Sequence, residues 1–266
     1  MRKVVLITGV SSGFGYAIAQ LLSKQGHLVY GTNRKEHLEQ DGINILKLDV
    51  TRPEEIENAV RTIISREGRI DVLINNAGFG IAGALEDFSE EEALLEINTN
   101  LLGVYRCCKY VIPHMRKQGF GTIITIGSIA GLMGIPFQGF YAASKFGVEG
   151  FMQSLRYEVQ PFGVKVVMVN PGDFNTGFTA NRKMVRATAT SDYQQPFRTT
   201  LNVIEKDESG GLKPHVLAKK VAEIVASKNP RHRYIVASFD QKLAVILSKI
   251  MPAKWFTKLI AGHYKT

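Results

Sequence analysis

The sequence has very few cysteines, no apolar run of membrane-spanning length and no long run of basic residues. Cys107 and Cys108 are the only cysteines among the 266 residues, and their adjacency excludes a disulfide framework and fits a reducing compartment. No apolar stretch approaches the ~20 residues that a transmembrane helix needs. The first apolar run, at residues 3–7, has the length of a strand and is too short for a signal peptide. A cytoplasmic protein is therefore expected.

Charge and composition narrow the kinds of ligand that the protein is expected to bind. The 33 Lys and Arg residues outnumber the 24 Asp and Glu residues and give a formal net charge of +9, but the basic residues are scattered and match no nucleic-acid-binding motif. A nucleic-acid partner is therefore not expected, whereas a phosphate-bearing small molecule would need only a few of these charges. Neither the cysteines nor the six histidines show metal-ligand spacing, so no metal site is expected.

Short apolar runs alternate with longer amphipathic segments, and no linker, internal repeat or low-complexity tract interrupts the alternation. The apolar runs predict strands at Val4–Thr8, Leu28–Thr32, Ile43–Leu48, Val72–Asn75, Thr122–Ile126, Val164–Val169 and Tyr234–Ala237. The amphipathic segments predict helices at Gly13–Lys24, Glu54–Arg66, Asn100–Lys117, Tyr141–Gln160 and His215–Ser227. An interruption is expected near Pro113, and Glu205–Pro214 is expected to be a surface loop.

This alternation indicates an α/β fold: a doubly wound parallel sheet of about seven strands, with helices on both faces. The strand runs are rich in β-branched residues and nearly continuously apolar, as strands buried on both sides require. Residues 1–266 are expected to form a single domain.

A glycine-rich loop follows the first strand and opens the first helix, in the sequence Thr8-Gly9-Val10-Ser11-Ser12-Gly13-Phe14-Gly15. Glycines at such a loop permit a tight turn and a close approach of the backbone to a pyrophosphate, and the helix N-terminus offers unpaired N–H groups to the anion. A glycine-rich turn without a ligand is the alternative, but the position between strand and helix favours dinucleotide binding.

The end of the second strand predicts the choice of cofactor. An acidic residue there would bind the ribose hydroxyls of NAD, but this chain has Asn33 followed by Arg34 and Lys35. The absence of an acid and the presence of two cations favour NADP(H), with NAD(H) as the alternative cofactor. The competing interpretation is an ordinary solvated turn.

Tyr141 and Lys145 lie four residues apart in a predicted helix, so their side chains share one face. Moving the pKa of a phenol from about 10 to about 7 needs roughly 4 kcal/mol in favour of the phenolate. One cation about 4 Å away supplies an energy of that order at an effective dielectric constant near 20. This spacing can therefore make a tyrosine that exchanges protons at neutral pH.

Taken together, these residues resemble the short-chain dehydrogenase/reductase family. The match extends from residue 1 to about residue 237. It rests on motifs in the family's order: Thr8–Gly15, Asp49-Val50, Asn75-Asn76-Ala77-Gly78, Asn100, Ser128, Tyr141/Lys145, and Pro171-Gly172 with Thr176. The resemblance implies a Rossmann-type fold and oxidoreduction of alcohols and carbonyls with NAD(P).

The resemblance also implies which residues bind the cofactor. They are Gly9, Ser11, Ser12, Gly13, Phe14, Gly15, Asn33, Arg34, Asp49, Val50, Asn76, Ala77, Gly78, Tyr141, Lys145, Pro171, Gly172 and Thr176. Among them, Asp49 and Val50 would border the adenine, and Thr176 would contact the nicotinamide carboxamide.

Asn100, Ser128, Tyr141 and Lys145 would form the catalytic tetrad by the same resemblance. Ser128 would hold the substrate oxygen, and Tyr141 would transfer the proton. Lys145 would stabilise the phenolate and hold the nicotinamide ribose, and Asn100 would fix a water that links Lys145 to solvent. A helix cap is the alternative for Asn100, and an ordinary loop hydroxyl is the alternative for Ser128.

Apolar residues flank the expected tetrad and suit an apolar substrate such as a steroid, a retinoid or a lipid. They are Leu132, Met133, Ile135, Pro136, Phe137 and Phe140 in one loop, and Phe174, Phe178, Tyr193 and Phe197 farther along the chain. Some of them must instead pack in the core or at a subunit contact.

An amphipathic helical tail is expected at about residues 240–262. A tail of this length resembles the hydroxysteroid, retinol and acyl-dihydroxyacetone-phosphate reductase branches of the family more than its shorter acyl-carrier-protein reductases. Two faces of the tail are apolar: Leu243, Ile246, Leu247 and Ile250 form one, and Trp255, Phe256, Leu259 and Ile260, after Pro252, form the other. Packing on the domain or across a subunit interface is the favoured interpretation. Peripheral contact with a membrane surface is the alternative.

The predicted function is an NADP(H)-dependent oxidoreductase that interconverts an apolar ketone or aldehyde and its alcohol, in a homodimer or homotetramer. The alternative is a non-catalytic NAD(P)-binding sensor or scaffold of the same fold. Such proteins typically lose a catalytic residue, whereas this chain keeps all four.

Overall fold

The computed structural model describes residues 1–35 and 42–266, and within them seven strands form one parallel sheet. The strands in the described residues are β1 (Val4–Thr8), β2 (Leu28–Asn33), β3 (Ile43–Lys47), β4 (Val72–Asn75), β5 (Ile81–Ala82), β6 (Gly121–Ile126), β7 (Val164–Pro171), β8 (Lys183–Met184) and β9 (Arg233–Val236). The large sheet has the order β3-β2-β1-β4-β6-β7-β9, and β5 pairs with β8 in a small sheet of its own.

Helices cover both faces of the large sheet. They are α1 (Gly13–Lys24), α2 (Pro53–Glu67), α3 (Glu90–Ile97), α4 (Gly103–Gln118), α5 (Gly139–Val159), α6 (Gly177–Asn181), α7 (Gln194–Ser209), α8 (Pro214–Ala226), α9 (Phe239–Ile250) and α10 (Ala253–Tyr264). The helices α1 and α8 bury one core against the sheet, and α2, α4 and α5 bury a second core on its other face. The predicted doubly wound α/β fold is therefore confirmed.

The seven predicted strands correspond to the seven strands of the large sheet, with ends that differ by at most two residues. The predicted interruption near Pro113 is wrong, because α4 continues through it. Pro113 is exposed, so water can satisfy the carbonyl group that the proline leaves without a hydrogen bond. Val111 and Met115 on either side are fully buried and hold the helix against the core.

The prediction of a surface loop at Glu205–Pro214 is also wrong. Its first half is the last turn of α7, where Glu208 is buried and pairs with Arg182, and its final residue, Pro214, begins α8. Only residues 210–213 connect the two helices. The charged composition of the segment indicated an exposed loop. The burial of Glu208 could not be foreseen, because its partner lies 26 residues away in the sequence.

The strand order reverses between β1 and β4, and this reversal positions the site. In an open parallel sheet, ligands bind at the carboxyl ends of the strands beside such a switch point. The glycine loop follows β1, Asn76 follows β4, and Ser128 follows β6, so all three lie at this edge. Among the residues that the structure describes, no helix has the length and apolarity needed to cross a membrane.

Candidate active site

The glycine loop between β1 and α1 has the backbone geometry that its glycines predict. Gly9 and Gly13 adopt φ angles of +73° and +60°, a region that is strained for residues with a side chain. A Cβ on Gly15 would lie 2.1 Å from the carbonyl oxygen of Gly9 and 2.5 Å from the Nδ2 atom of Asn76. Ser12 starts α1 without a side-chain cap, which leaves the first N–H groups of the helix available to an anion.

Thr8 and Asn76 fasten the glycine loop to the end of β4. The hydroxyl of Thr8 accepts hydrogen bonds from the backbone N–H groups of Asn76 and Ala77, both at 3.0 Å. The side-chain amide of Asn76 donates to the carbonyls of Thr8 at 2.9 Å and Gly9 at 2.8 Å. The loop is therefore held in shape from β4 by hydrogen bonds that occupy the Asn76 amide group.

The end of β2 presents a buried amide followed by two exposed cations. Within the described residues, neither the Oδ1 nor the Nδ2 atom of Asn33 has a hydrogen-bond partner, although the side chain is buried. Arg34 and Lys35 are exposed. A buried amide without a partner is costly, so Asn33 is suited to a polar ligand at this edge of the sheet.

The segment after β7 forms the opposite wall of the cleft. Pro171, Gly172 and Thr176 line the same pocket as Phe14 of the glycine loop. The hydroxyl of Thr176 caps α6 by accepting from the N–H of Phe178 at 3.1 Å. A Cβ on Gly13 would lie 3.9 Å from the Cβ of Thr176, so the two walls approach each other closely.

Asp49 and Val50, expected beside the adenine, lie in the turn between β3 and α2. The Oδ1 atom of Asp49 accepts from the backbone N–H and the hydroxyl of Thr51, at 2.8 and 2.7 Å. Val50 is buried, and a Cβ on Gly103 would lie 2.8 Å from its Cγ2 atom. In this turn Asp49 thus holds the backbone by hydrogen bonds and Val50 packs in the core, and their contact with an adenine remains a prediction.

Tyr141 and Lys145 lie on one face of α5, as their spacing predicts, and both are buried. The Nζ atom of Lys145 is 5.6 Å from the centroid of the Tyr141 ring and donates to the carbonyl of Ile126 at 3.2 Å. Burial raises the pKa of Tyr141, while a hydrogen bond with the Ser128 hydroxyl opposes this shift. The expected lowering of the Tyr141 pKa toward 7 is therefore not found in the protein alone, because desolvation outweighs the favourable electrostatics.

This pKa direction has a chemical consequence. A raised pKa keeps the Tyr141 hydroxyl protonated at neutral pH, which is the form that a proton donor needs. Burial also lowers the pKa of Lys145 to about 8, and the carboxylate of Glu96 opposes that shift. At neutral pH Tyr141 is therefore protonated and Lys145 is close to the pH range in which it titrates, and neither shift by itself sets the direction of the reaction.

Ser128 begins the loop after β6 and faces Tyr141. Its hydroxyl accepts from the N–H of Ala130 at 3.0 Å, and its backbone carbonyl accepts from the Nδ2 atom of Asn170 at 3.0 Å. The same Nδ2 atom donates to Glu149 at 2.6 Å, and Glu149 pairs with Arg233 of β9. Sequence reasoning missed this network because its members come from β7, α5 and β9, which are distant in the chain.

Asn100 occupies a π-helical turn, Asn98–Leu102, between α3 and α4. Its Nδ2 atom donates to the carbonyl of Phe79 at 2.8 Å and to the hydroxyl of Ser144 at 3.1 Å, and its Oδ1 atom accepts from the N–H of Phe79 at 3.1 Å. Ser144 in turn donates to the carbonyl of Tyr141 at 2.7 Å. The side chain therefore links β4's loop to α5 instead of capping a helix, and π turns of this kind are frequent at functional sites.

Glu96 is a further residue that sequence reasoning missed. It lies in the last turn of α3, four residues before Asn100, and is completely buried. Its Oε1 atom accepts from the N–H of Ile81 at 3.0 Å, and its Oε2 atom has no hydrogen-bond partner among the described residues. Burial raises the pKa of Glu96 to about 7, and the charge of Lys145 opposes the rise. No spacing signal could have found it, because its partners are a backbone N–H and a lysine 49 residues away.

The pocket beside Tyr141 is lined by both apolar and acidic residues. Its apolar lining includes Ile135, Phe178 and Ile204. Asp173, Asp207 and Glu208 also line it, together with Tyr264 of α10. Glu208 pairs with Arg182, Asp207 lies 2.9 Å from His263, and burial raises the pKa of Asp173 to about 6.

The expected apolar pocket is thus only partly formed by the residues proposed for it. Phe137 packs against Tyr193 and Phe197, Phe140 packs against Phe88, and Leu132 and Met133 pack under the C-terminal helices. Phe174 and Phe178 do line the pocket, as does Ile135. The acidic residues were not predicted, because they follow β7 and end α7 without any recognisable motif.

A dinucleotide fits this site. The glycine loop excludes side chains from the mouth of the cleft, and the α1 N-terminus and the Asn33 amide offer unpaired polar groups. No group of His, Cys, Asp and Glu residues suited to a metal ion occurs within residues 1–35 and 42–266.

The fold and the site together define an NAD(P)-dependent oxidoreductase of the Rossmann type. A family model described as short chain dehydrogenase matches residues 3–186, and the chain belongs to the short-chain dehydrogenase/reductase family. It is an oxidoreductase that acts on CH–OH and C=O groups with NAD(P).

Three similar proteins place the chain within the family. The 3-ketodihydrosphingosine reductase of Bacteroides thetaiotaomicron is 52% identical over 242 residues, which cover 91% of this chain and 90% of that protein. The structure of a short-chain dehydrogenase from Streptomyces avermitilis is 28% identical, covers 98% of both chains and has a TM-score of 0.80. The structure of ElxO with NADP bound is also 28% identical, covers 89% of this chain and 96% of that one, and has a TM-score of 0.72.

Proposed function

We propose that this protein is an NADPH-dependent reductase of a long-chain lipid ketone of the 3-ketodihydrosphingosine type. The observation that carries the proposal is the 52% identity to a 3-ketodihydrosphingosine reductase over nine-tenths of both chains. The Tyr141 hydroxyl, which burial keeps protonated, carries the proton that reduction of a ketone requires.

The acidic side of the pocket supports this substrate class. The substrate named by the relative bears an amine next to its ketone, and an amine of this kind is largely protonated at neutral pH. Asp173 and Asp207 line the pocket beside Tyr141. Glu208 is paired with Arg182 and Asp207 contacts His263, whereas the Asp173 carboxylate accepts, among the described residues, only from the neutral amide of Gln241. Carboxylates at this position attract an ammonium group, and the apolar lining from Ile135, Phe178 and Ile204 accepts the adjoining acyl chain.

Each residue of the site has its own role in the proposed reduction. When bound, NADPH supplies the hydride that reduces the carbonyl carbon. The Ser128 hydroxyl, which faces Tyr141, donates a hydrogen bond to the carbonyl oxygen, and the Tyr141 hydroxyl gives that oxygen its proton. The Lys145 ammonium, held by the carbonyl of Ile126, stabilises the phenolate that remains. Asn100 and Asn170 hold Tyr141 and Ser128 in place through the backbone.

Cofactor preference follows from the end of β2. Arg34 is exposed directly after the buried Asn33, and no acidic side chain occupies position 33, 34 or 35 to repel a 2′-phosphate. Arg34 can offer a planar fork of donors to that phosphate, and Lys35 adds a second positive charge. These features favour NADPH over NADH.

The experiment is NADPH oxidation by the purified protein with three ketones at matched concentrations: 3-ketodihydrosphingosine, a 3-oxoacyl thioester and a steroid ketone. The proposal expects the highest kcat/KM for 3-ketodihydrosphingosine and formation of the 3-hydroxy product. A higher kcat/KM for the thioester or the steroid would reject the lipid amino ketone as the substrate class, while leaving the oxidoreductase chemistry intact.

A further inference from the structure

The two C-terminal helices expose apolar side chains on the faces that point away from the molecule. The inner faces of α9 and α10 pack through Val245 and Phe256 on the loop residues Ile129, Leu132 and Met133. On the outer faces, six large apolar residues are between 42% and 81% exposed: Phe239, Leu243, Ile246, Ile250, Trp255 and Leu259. We refer to these six residues as the outer apolar face.

The outer apolar face follows helical periodicity. Phe239, Leu243, Ile246 and Ile250 are spaced i, i+4, i+7 and i+11, which places them on one side of α9. Trp255 and Leu259 are four residues apart and lie on one side of α10. The side chains thus form helical stripes rather than scattered exposed residues, and contiguous stripes mark interaction surfaces.

Positive charge flanks these stripes. From position 239 to the C-terminus the chain has five lysines but only one acidic residue, Asp240. Lys242 and Lys249 lie on the same flank of the α9 stripe, and Lys254 and Lys258 flank Trp255 and Leu259; all four are exposed. An apolar face bordered by lysines and containing an aromatic residue is typical of a helix that lies in the surface of a membrane.

We infer that α9 and α10 dock the protein on the surface of an anionic phospholipid bilayer through the outer apolar face and its flanking lysines. Charge complementarity selects this occupant. A second copy that docked with two-fold symmetry would bring the lysines of the two chains together, which is unfavourable. An anionic bilayer instead supplies both the negative charge and the apolar interior that the face requires.

Docking on this face would bring the bilayer to the back of the substrate pocket. Tyr264 of α10 lines that pocket, and its backbone carbonyl accepts a hydrogen bond from Thr200 of α7 at 3.2 Å. Ile129, which also lines the pocket, packs against Val245 of α9. The inference concerns lipid binding and is measured without turnover, so it stands or fails separately from the proposed function.

The fluorescence of Trp255 can report binding to a bilayer, because Trp255 is the only tryptophan of the chain and is 65% exposed. The experiment records Trp255 emission while vesicles are added to the full-length protein. One set of vesicles contains phosphatidylcholine only, and the other contains equal parts of phosphatidylcholine and phosphatidylglycerol. The inference expects a blue shift and quenching by brominated acyl chains with the anionic vesicles, a much weaker response with the neutral ones, and reversal by high salt.

Paired variants separate the contribution of the flanking lysines from that of the outer apolar face. Each lysine near an anionic surface contributes about fivefold to partitioning, so Lys254→Gln/Lys258→Gln should weaken binding about 30-fold. The matched control, Lys24→Gln/Lys117→Gln at the opposite edge of the sheet, should bind like the wild type. Ile246→Glu should weaken binding tenfold or more. Its control, Phe120→Glu, changes a comparably exposed residue, at 46%, outside the helices.

Three results would overturn the inference. The first is an unchanged Trp255 spectrum with anionic vesicles, and the second is an equal response to neutral vesicles. The third is a blue shift that grows with protein concentration in the absence of lipid, which would assign the face to a second copy of the chain.

Discussion

The side-chain amide of Asn170 reaches the backbone carbonyl of Ser128 at 3.0 Å and fixes the start of the loop that carries the Ser128 hydroxyl. The same amide donates to Glu149 at 2.6 Å, so the position of Ser128 depends on a buried carboxylate of α5. Glu149 is itself paired with Arg233 of the last strand. The catalytic loop is therefore held by three elements that meet behind the site.

The first prediction concerns this network. Glu149→Ala leaves the buried amide of Asn170 and the half-buried Arg233 without their shared partner, and an unsatisfied buried polar group costs roughly 1–3 kcal/mol. The expected result is a lower midpoint of chemical denaturation and a lower kcat. Glu158→Ala, which removes a carboxylate from an exposed position on the same helix, should change neither quantity. Equal stability of Glu149→Ala and the wild type would show that the network does not hold the loop.

The second prediction concerns Glu96 and the pH profile. The Glu96 carboxylate raises the pKa of Lys145, which burial lowers to about 8. Glu96→Gln keeps an acceptor for the Ile81 N–H but removes the charge, so the pKa of Lys145 should fall further. Since activity needs protonated Lys145, the alkaline limb of kcat/KM should move to lower pH. A shift to higher pH, or no shift, would contradict this coupling.

The control for this profile is Glu91→Gln, which removes a carboxylate from an exposed position on the same helix. It should leave the alkaline limb unchanged, because solvent screens a charge at that position. A shift of equal size in both variants would mean that the overall charge of α3, rather than the buried carboxylate, sets the pKa of Lys145.

The third prediction concerns Arg34 and the cofactor. A hydrogen bond to a charged group is worth about 1.5–3 kcal/mol, so Arg34→Ala should weaken NADPH binding by roughly 10- to 150-fold. The dissociation constant for NADH should hardly change. Arg61→Ala removes an exposed arginine from α2 and serves as the control at the same salt concentration. Tighter binding of NADH than of NADPH by the wild type would leave Arg34 as an ordinary surface cation.

The fourth prediction concerns Asp173 and the substrate amine. Asp173→Asn keeps the size of the side chain but removes the charge, so KM for the amino ketone should rise roughly tenfold or more. KM for a ketone of the same length without the amine should stay unchanged. Burial raises the pKa of Asp173 to about 6, so the preference for the amino ketone should fade in the wild type as pH drops below 6. An equal rise in KM for both ketones would refute a charge-based role.

The sequence predicted the sheet and the glycine loop well because both depend on local signals. Strands such as β1 and β4 are buried along their whole length and apolar up to their last residue, and Gly9 and Gly13 adopt the positive φ angles that their positions suggest. The one-turn spacing of Tyr141 and Lys145 likewise predicted that they share a face of α5.

The parts that could not be predicted depend on contacts between distant residues. The helices α3 and α7 were missed, because Glu96 and Glu208 made charged segments look exposed while their partners lay elsewhere in the chain. The direction of the Tyr141 pKa was also wrong, since spacing indicates a nearby cation but not the extent of desolvation. Similarly, the apolar periodicity of the C-terminal tail did not reveal that one face of α9 and one face of α10 pack on the loop at residues 129–133.

The most direct test of the account is single-turnover reduction of 3-ketodihydrosphingosine by Tyr141→Phe with NADPH. The variant lacks the hydroxyl that donates the proton, whereas the ring that packs against Phe178 remains, so the fold and the NADPH dissociation constant should be preserved. Loss of a general acid typically costs a factor of about 10²–10⁴ in rate, and the account predicts a fall within that range. A variant that binds NADPH normally and keeps more than about a tenth of the wild-type rate would contradict the assignment of Tyr141 as the proton donor.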